Sequence, residues 1–424
     1  MGRAEKLDLT SSTHNYHARY PAMSTGPVPV EPYVSEAYFE REREAIFRQM
    51  WLLAGRLEKL AQPGDYYVRP FEVLNTSLIV VRGTDNRVRA FHNVCRHRGT
   101  PLAAGAGNCK FFTCRFHGWV YDTQGKIRHV ADAGQFVDLD KSKLNLDEVH
   151  CKVWKGFVFV NFASNPRETL AEQLAETGEQ LTDFPFEGMV VAGHWGATLK
   201  ANWKLFLDAF QEGYHVATVH SGTINTYYTG RKNPYCRPSS VRLYKRNRAL
   251  TIPFNPECAL HPSEQFAVKM GEALSQGEAG LAKGFPGVNP EQDDNFSFDI
   301  NGVFPNVLID TSIGFFFIHE FWPIDANTTR WEATMHFPPP TSAGSLIGVT
   351  QSVALLRDAF REDIATSEGS QAGMRSGSLK GNTLFRSRNY LPSSIGCGRA
   401  HGQRQMVSGL SSIHSTHRLR GRGL

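Results

Sequence analysis

Hydrophobic residues in this chain fall into short blocks, and the spacing within the blocks changes part-way along. Between residues 52 and 165 the blocks are strand-length. Tyr66 to Val68, Ser77 to Arg82, Val88 to Asn93, Phe111 to Thr113 and Val120-Tyr121 are divided by Gly, Asp or Asn turns. Lys152 to Phe162 alternates and is expected to close this small antiparallel module as one further strand. Ahead of the module, residues 1–30 are polar and read as an extended arm. Ser35 to Met50 then mixes charged and apolar positions without Gly or Pro, as a helix does, with Ala45, Ile46, Gln49 and Met50 on its inner face.

Beyond residue 165 the pattern favours longer elements. Pro166 to Leu181 reads as a helix and Met189 to Ala201 as a strand. Asn202 to Val219 reads as one helix, because Trp203, Phe206, Leu207 and Phe210 recur near the helical period. Residues 222–300 show neither period. Val303 to Ile324 and Arg330 to Phe337 are aromatic and β-branched, as strands are, and a helix is expected from about Ile347 to Glu368. The pattern predicts an α+β chain without internal repeats. Its parts are an N-terminal arm and helix (1–51), an all-β module (52–165), a mixed domain (166–385) and a tail (386–424).

Composition narrows the classes. The chain has 41% hydrophobic and 11% aromatic residues among 424, the content of a globular protein. No apolar run approaches the ~18–20 residues of a membrane span, and the N-terminus has no apolar signal core, so no membrane partner and a cytoplasmic location are expected. The formal charge of +5 misleads. Residues 380–424 hold eight of the 46 Lys/Arg and none of the 41 Asp/Glu, so the rest of the chain is slightly acidic and no nucleic-acid partner is expected. The Ser-, Gly- and Arg-rich tail cannot bury much apolar surface and is expected to be disordered, outside the working fold.

Seven cysteines in so long a chain do not make a disulfide framework. Cys109, Cys151, Cys236, Cys258 and Cys397 stand alone and read as inert thiols. Cys95 and Cys114 do not. Cys95-Arg96-His97 and Cys114-Arg115-Phe116-His117 each offer one sulfur and one nitrogen, with sixteen residues between them. A Rieske-type [2Fe–2S] cluster needs that set, two Cys on one iron and two His on the other. Zinc fingers instead pair Cys with Cys at their knuckles. Gly105-Ala106-Gly107 lies between the pairs, not at a strand-to-helix junction, so it reads as a tight turn and no NAD or flavin site is expected.

A second centre is suggested by Glu212-Gly213-Tyr214-His215, with His220 five residues on. On an ideal helix His215 and His220 stand about 140° apart, so both face one ion only if the helix bends or ends. A two-His-one-carboxylate iron site also needs an acid, and Arg361-Glu362-Asp363 offers Asp363 or Glu362. Phe304-Pro305-Asn306 and Ile313 to Phe321 read first as core and second as pocket lining, and His319 and His336 as structural.

With these residues in view, the chain resembles the α-subunit of the Rieske non-heme iron oxygenases (ring-hydroxylating oxygenases) over about residues 35–375. The resemblance rests on the two Cys/His pairs with Gly118-Trp119, on Asn202-Trp203-Lys204, on Glu212, His215 and His220, and on Glu362-Asp363 followed by Gln371 and Gly373. It implies an all-β Rieske domain beside a helix-grip catalytic domain, an antiparallel sheet curled around a long helix. It implies mononuclear Fe(II) on His215, His220 and Asp363, and Glu212 as the acidic bridge to a cluster histidine of a neighbouring subunit in a head-to-tail homotrimer. Electrons from NAD(P)H would arrive through a ferredoxin or flavin reductase. O2 would then hydroxylate or dihydroxylate an aromatic or other hydrophobic compound, as in aromatic hydrocarbon catabolism. Glu at position 212, where many relatives have Asp, leaves as an alternative a monooxygenase or demethylase of a quaternary ammonium or methylated amine. Asp208-Ala209-Phe210 departs from the family's usual Glu-Asn-Phe. A Rieske electron carrier is the non-enzyme alternative, and it needs only residues 52–165.

Overall fold

The computed structural model describes residues 27–275, 285 and 287–382. Most of the expected arm, and the whole of the tail with Cys397, lie outside the described residues.

The first domain is a seven-stranded antiparallel sheet in the order Leu52–Arg56, Phe157–Asn161, Glu148–Trp154, Val88–His92, Thr76–Arg82, Asp65–Phe71, Ala106–Asn108. A three-stranded sheet, Phe111–Thr113, Val120–Asp122 and Ile127–His129, packs on it through Phe112, Trp119 and Tyr121 against Ile79, Val81 and Phe91. Two expectations change here. Lys152 to Phe162 is the turn and both arms of a hairpin, not one strand. Lys155 and Gly156 both take positive φ, 46° and 76°, which is what a two-residue hairpin loop demands. Gly105-Ala106-Gly107 is a turn only at Gly105, since Ala106–Asn108 pairs with Asp65 to Tyr67.

Phe157–Asn161 is buried on both faces. Val158 and Val160 face the first domain's core, whereas Phe157 and Phe159 join Trp51 and Leu53 in packing on Leu170, Leu174, Phe184, Phe186 and Phe316 of the second domain. The two domains therefore share one apolar layer.

Ser35 caps the helix Glu36–Glu42, which widens into a π-turn over Arg43–Phe47. The wider turn shifts the register, so Phe39, Glu42, Phe47 and Met50 face inward, and Ala45, Ile46 and Gln49 are only half-buried.

The second domain's sheet is antiparallel in the order Val190–Leu199, Thr328–Phe337, Phe316–Asp325, Val307–Thr311, Phe296–Val303, Arg248–Pro253, Ser240–Leu243. Its inner face holds the helix Trp203–Ala209 and the 33-residue helix Ala343–Arg375, with Phe206, Leu207 and Phe360 packed on Leu308, Phe321 and Trp331. This is a sheet gripping a helix. Three of its strands begin in the stretch 222–300, where no strand was expected. Their polar side chains hydrogen-bond within the sheet: Arg242 donates to Asp299 at 3.2 Å, Thr251 to the same carboxylate at 2.6 Å, and Asn301 to the Ile309 carbonyl at 2.9 Å. Such a ladder removes the alternation on which sequence patterns rely. The expected single strand from Val303 to Ile324 is two strands, reversed through a turn containing Gly314 at φ 105°. Among the described residues no helix is long and apolar enough to cross a membrane.

Candidate cluster and metal centres

Each Cys/His pair sits on a small closed loop. Cys95 N–H donates to the Thr100 carbonyl at 2.9 Å, and Gly99 returns a bond to Cys95 at 2.9 Å. Cys114 donates to Trp119 at 2.8 Å and receives from Gly118 at 3.0 Å. Gly99 and Gly118 take φ 79° and 68°, a conformation that lets the loops turn back on themselves. Both thiols are buried, and the His97 and His117 ring centroids lie 4.6 Å apart. Trp119 stacks on His97 at 4.8 Å, and the Tyr121 hydroxyl lies 3.4 Å from Cys95 Sγ while accepting the Arg96 N–H at 3.0 Å. Burial, before any other influence, pushes the Cys95 thiol up. His97 Nδ1 is buried with no hydrogen-bond partner among the described residues. Two buried thiols and an orphaned imidazole nitrogen beside a second imidazole are a donor set that fits a Rieske cluster.

The second centre answers the 140° problem. The expected helix from Asn202 to Val219 is two helices. Trp203–Ala209 ends at Phe210, and a single turn, Val216–Val219, follows with His215 at its N-cap and His220 at its C-cap. At the break Gly213 lies against the Cys236 backbone, where a Cβ would stand 2.1 Å from the carbonyl oxygen. The Glu212 carboxylate accepts the backbone N–H of Tyr214 and of His215, donors that a new turn leaves free. The ring centroids of His215 and His220 come within 5.1 Å.

Asp363, from the long helix, lies between them. Its Oδ1 is 3.4 Å from His215 Nε2 and 3.2 Å from His220 Nε2, and the three residues offer ligand atoms all within 4.8 Å of one another. The outer nitrogens are also held. His215 Nδ1 is 3.0 Å from Glu212 Oε1, and His220 Nδ1 is 2.8 Å from Glu362 Oε2, which also accepts the Thr223 hydroxyl at 2.6 Å. Glu362 and Asp363, alternatives for one position in the sequence, thus stand on opposite sides of the His220 ring. Burial, the largest influence on His220, works to lower its pKa, but Asp363 and Glu362 together hold it above the usual imidazole range. Two imidazoles and a carboxylate, each imidazole oriented by a second carboxylate, are a set that fits a divalent iron.

The Asn-Trp-Lys motif anchors the lead-in helix. Lys204 is fully buried and pairs with Glu42 at 2.7 Å, and Trp203 Nε1 donates to the same carboxylate at 3.3 Å. The Asn202 N–H donates to Gln371 Oε1 at 3.0 Å, which fastens this helix to the long one. Asp208, at the departure from the family pattern, accepts the Tyr33 hydroxyl at 2.9 Å. Cys151 and Cys236 are pushed up to about 12 by burial, in keeping with inert thiols. Sequence reasoning did not see the role of Glu362, whose signal was only its place beside Asp363.

Two family models match the chain: "Rieske [2Fe-2S] domain" over residues 50–151, and "Ring hydroxylating alpha subunit (catalytic domain)" over residues 186–390. This chain belongs to the Rieske oxygenase α-subunits. A Rieske domain binds a [2Fe–2S] cluster and the catalytic domain of these oxygenases a mononuclear iron, so both expected cofactors stand. Among curated relatives, the carnitine monooxygenase oxygenase subunit of Acinetobacter pittii is 33% identical over 193 residues, 45% of this chain and 51% of the relative. Choline monooxygenase of Spinacia oleracea is 29% identical over 217 residues, 50% of this chain and 49% of the relative. The matched stretch therefore spans about half the length of these curated relatives. In fold, this chain is similar to the quaternary ammonium Rieske monooxygenase CntA solved with L-carnitine, with a TM-score of 0.68 at 21% identity over 93% of this chain and 99% of that one. Naphthalene 1,2-dioxygenase with indole gives 0.65 at 24% identity over 83% and 80%.

Proposed function

We propose that this chain is the oxygenase component of a multicomponent Rieske system that monooxygenates a quaternary ammonium compound or methylated amine. It would use O2 and electrons from NAD(P)H delivered by a ferredoxin or flavin reductase. The observation that carries the reading is that one chain brings His215, His220 and Asp363 to within ligand distance of one another and also holds the buried Cys/His set. A Rieske carrier would have no use for the first group. The expected aromatic substrate gives way to the alternative. The curated relatives are named for carnitine, choline and glycine betaine, whereas the naphthalene enzymes are similar at the level of fold alone.

In this reading Cys95, His97, Cys114 and His117 hold the cluster, and His215, His220 and Asp363 the iron. When bound, the cluster supplies single electrons and the iron supplies O2 chemistry at positions that three protein ligands leave open. The chain's part is positional. Asp363 brings one negative charge between two neutral rings. Glu212 and Glu362 hold the outer nitrogens of His215 and His220, so that each ring presents Nε2 inward. Glu212 is also where a cluster histidine of a neighbouring subunit would bond. Support for that partner comes from the cluster tip. Among the described residues, the rings contacting His97 and His117 lie within residues 97–136, and Phe116 and Val137 are 53% and 91% exposed there. Exposed apolar groups at a redox tip suit a protein partner, either the next subunit of a homotrimer or the reductase.

The test mixes two inactive chains, His97→Ala and His215→Ala, unfolded and reassembled together with cofactors. With a compatible reductase, substrate-dependent O2 uptake with choline, carnitine or glycine betaine should reappear in the mixture and be absent from each variant alone. No recovery would remove the inter-subunit route, and no uptake by the unaltered chain with any of these compounds would remove the substrate class.

A further inference from the structure

Two buried polar groups on the inner face of the catalytic sheet have no part in the chemistry above. Asp310, on Val307–Thr311, is 2% exposed, and His319, on Phe316–Asp325, is 0% exposed. Side chains alternate along both strands. Val307, Ile309, Phe316 and Ile318 face the layer shared with the first domain, so Asp310 and His319 point the other way, toward the gripped helices.

The partners of these groups are incomplete. Trp331 Nε1–H donates to His319 Nδ1 at 3.2 Å, so in the neutral ring the proton is on Nε2. That Nε2 is 3.8 Å from Asp310 Oδ2, beyond hydrogen-bond reach. His319 Nε2 and Asp310 Oδ1 both lack a hydrogen-bond partner among the described residues. Burial, with the nearby charge of Asp299, pushes the Asp310 carboxyl well above the usual range. A carboxylate in such a place is costly unless something cationic completes it.

The surroundings specify what kind of cation. His319 is ringed by Phe210 at 4.6 Å, Phe360 at 5.0 Å and Phe317 at 5.3 Å, and Phe298 stands 5.9 Å beyond Phe317. These walls offer no acceptors for the several N–H bonds of a protonated amine. A trimethylammonium group has no N–H to satisfy, and its diffuse charge is favoured by aromatic faces and by a carboxylate. The position also fits. Phe210 precedes Glu212 by two residues, and Phe360 precedes Asp363 by one helical turn, so the acid lies on the sheet side of the His215/His220/Asp363 group.

We propose that Asp310, with the rings of Phe210, Phe317 and Phe360 and the His319 ring fixed by Trp331, is the seat of the substrate's trimethylammonium group. The proposal rests on the quaternary ammonium reading and sharpens it to one specificity-determining carboxylate.

The test is calorimetric titration of the cofactor-loaded enzyme and of its Asp310→Asn and Asp310→Glu variants. The probes are choline, L-carnitine and glycine betaine, each against the neutral carbon isostere carrying tert-butyl in place of trimethylammonium. Asp310→Asn should weaken the cation at least tenfold and change the isostere less than twofold, with Asp310→Glu recovering part of the loss. Cation affinity within twofold of the unaltered enzyme in Asp310→Asn, or equal losses for cation and isostere, would overturn the seat and leave the substrate class standing. If the unaltered enzyme binds none of the three cations, seat and substrate class fall together. Should Asp310→Asn fail to hold its cofactors, thermal shifts of the unaltered enzyme decide: the cation must raise Tm more than its isostere does, and equal shifts overturn the proposal.

Discussion

A carboxylate on the far nitrogen of a histidine decides which nitrogen is left to face a metal, and Glu362 does this for His220 while also holding the Thr223 hydroxyl. Removing such an outer partner costs about 10–100-fold in metal affinity in comparable sites. Glu362→Ala should therefore lower Fe(II) affinity by about that factor. The cluster absorption should stay intact, and Glu362→Gln, which keeps an acceptor oxygen, should recover part of the loss, as measured by competition with a chelator. At this scale the sequence was informative where chemistry is encoded by residue type. The two Cys/His pairs announced a cluster, and the closed loops with buried thiols fit it. It was uninformative where a role depends on orientation. Glu362 and Asp363 are neighbours with the same charge, and only the backbone's rotation between them sends one carboxylate to the inner and the other to the outer nitrogen of His220. His319 read as structural, and nothing local reveals that its Nε2 and Asp310 Oδ1 both stand without a hydrogen-bond partner among the described residues.

At the scale of elements, the break in the helix after Phe210 is the decisive feature. An apolar period of 3.6 carried the expected helix through to Val219, and the period is real, since Trp203, Phe206 and Leu207 are buried. What stops the helix is tertiary: Gly213 lies against the Cys236 backbone, and Glu212 turns back to cap the next turn. Gly213→Ala should force the two segments apart and destabilise the domain by about 1–3 kcal/mol, the usual cost of overpacking. The mononuclear iron should be lost while the cluster is kept, which thermal denaturation and iron analysis would show as two irons per chain in place of three. The strands missed within 222–300 have a related cause. Arg242, Thr251, Asp299 and Asn301 sit at buried sheet positions that an alternating pattern would make apolar, and hydrogen bonds from Arg242 and Thr251 to Asp299, and from Asn301 to Thr311, make polar residues acceptable there.

For the molecule as a whole, the sequence shows turn-rich short strands giving way to longer elements near residue 165. How the two parts join was not legible. Phe157, Phe159, Trp51 and Leu53 look like ordinary strand residues of the first domain, yet their side chains complete the core of the second. Apolar residues announce burial without saying what will cover them.

That shared layer bears on how the protein comes apart. A face of large rings that serves both domains couples their unfolding, because losing either one strips the cover from the other. The cofactor-loaded chain should melt in a single calorimetric transition, with bleaching of the cluster and loss of the long helix at one temperature; two well-separated transitions would contradict this. A chain cut at the domain boundary would present those rings to water and should aggregate instead of behaving as a free electron carrier. The redox module should therefore not behave as a detachable part, its stability being a property of the pair.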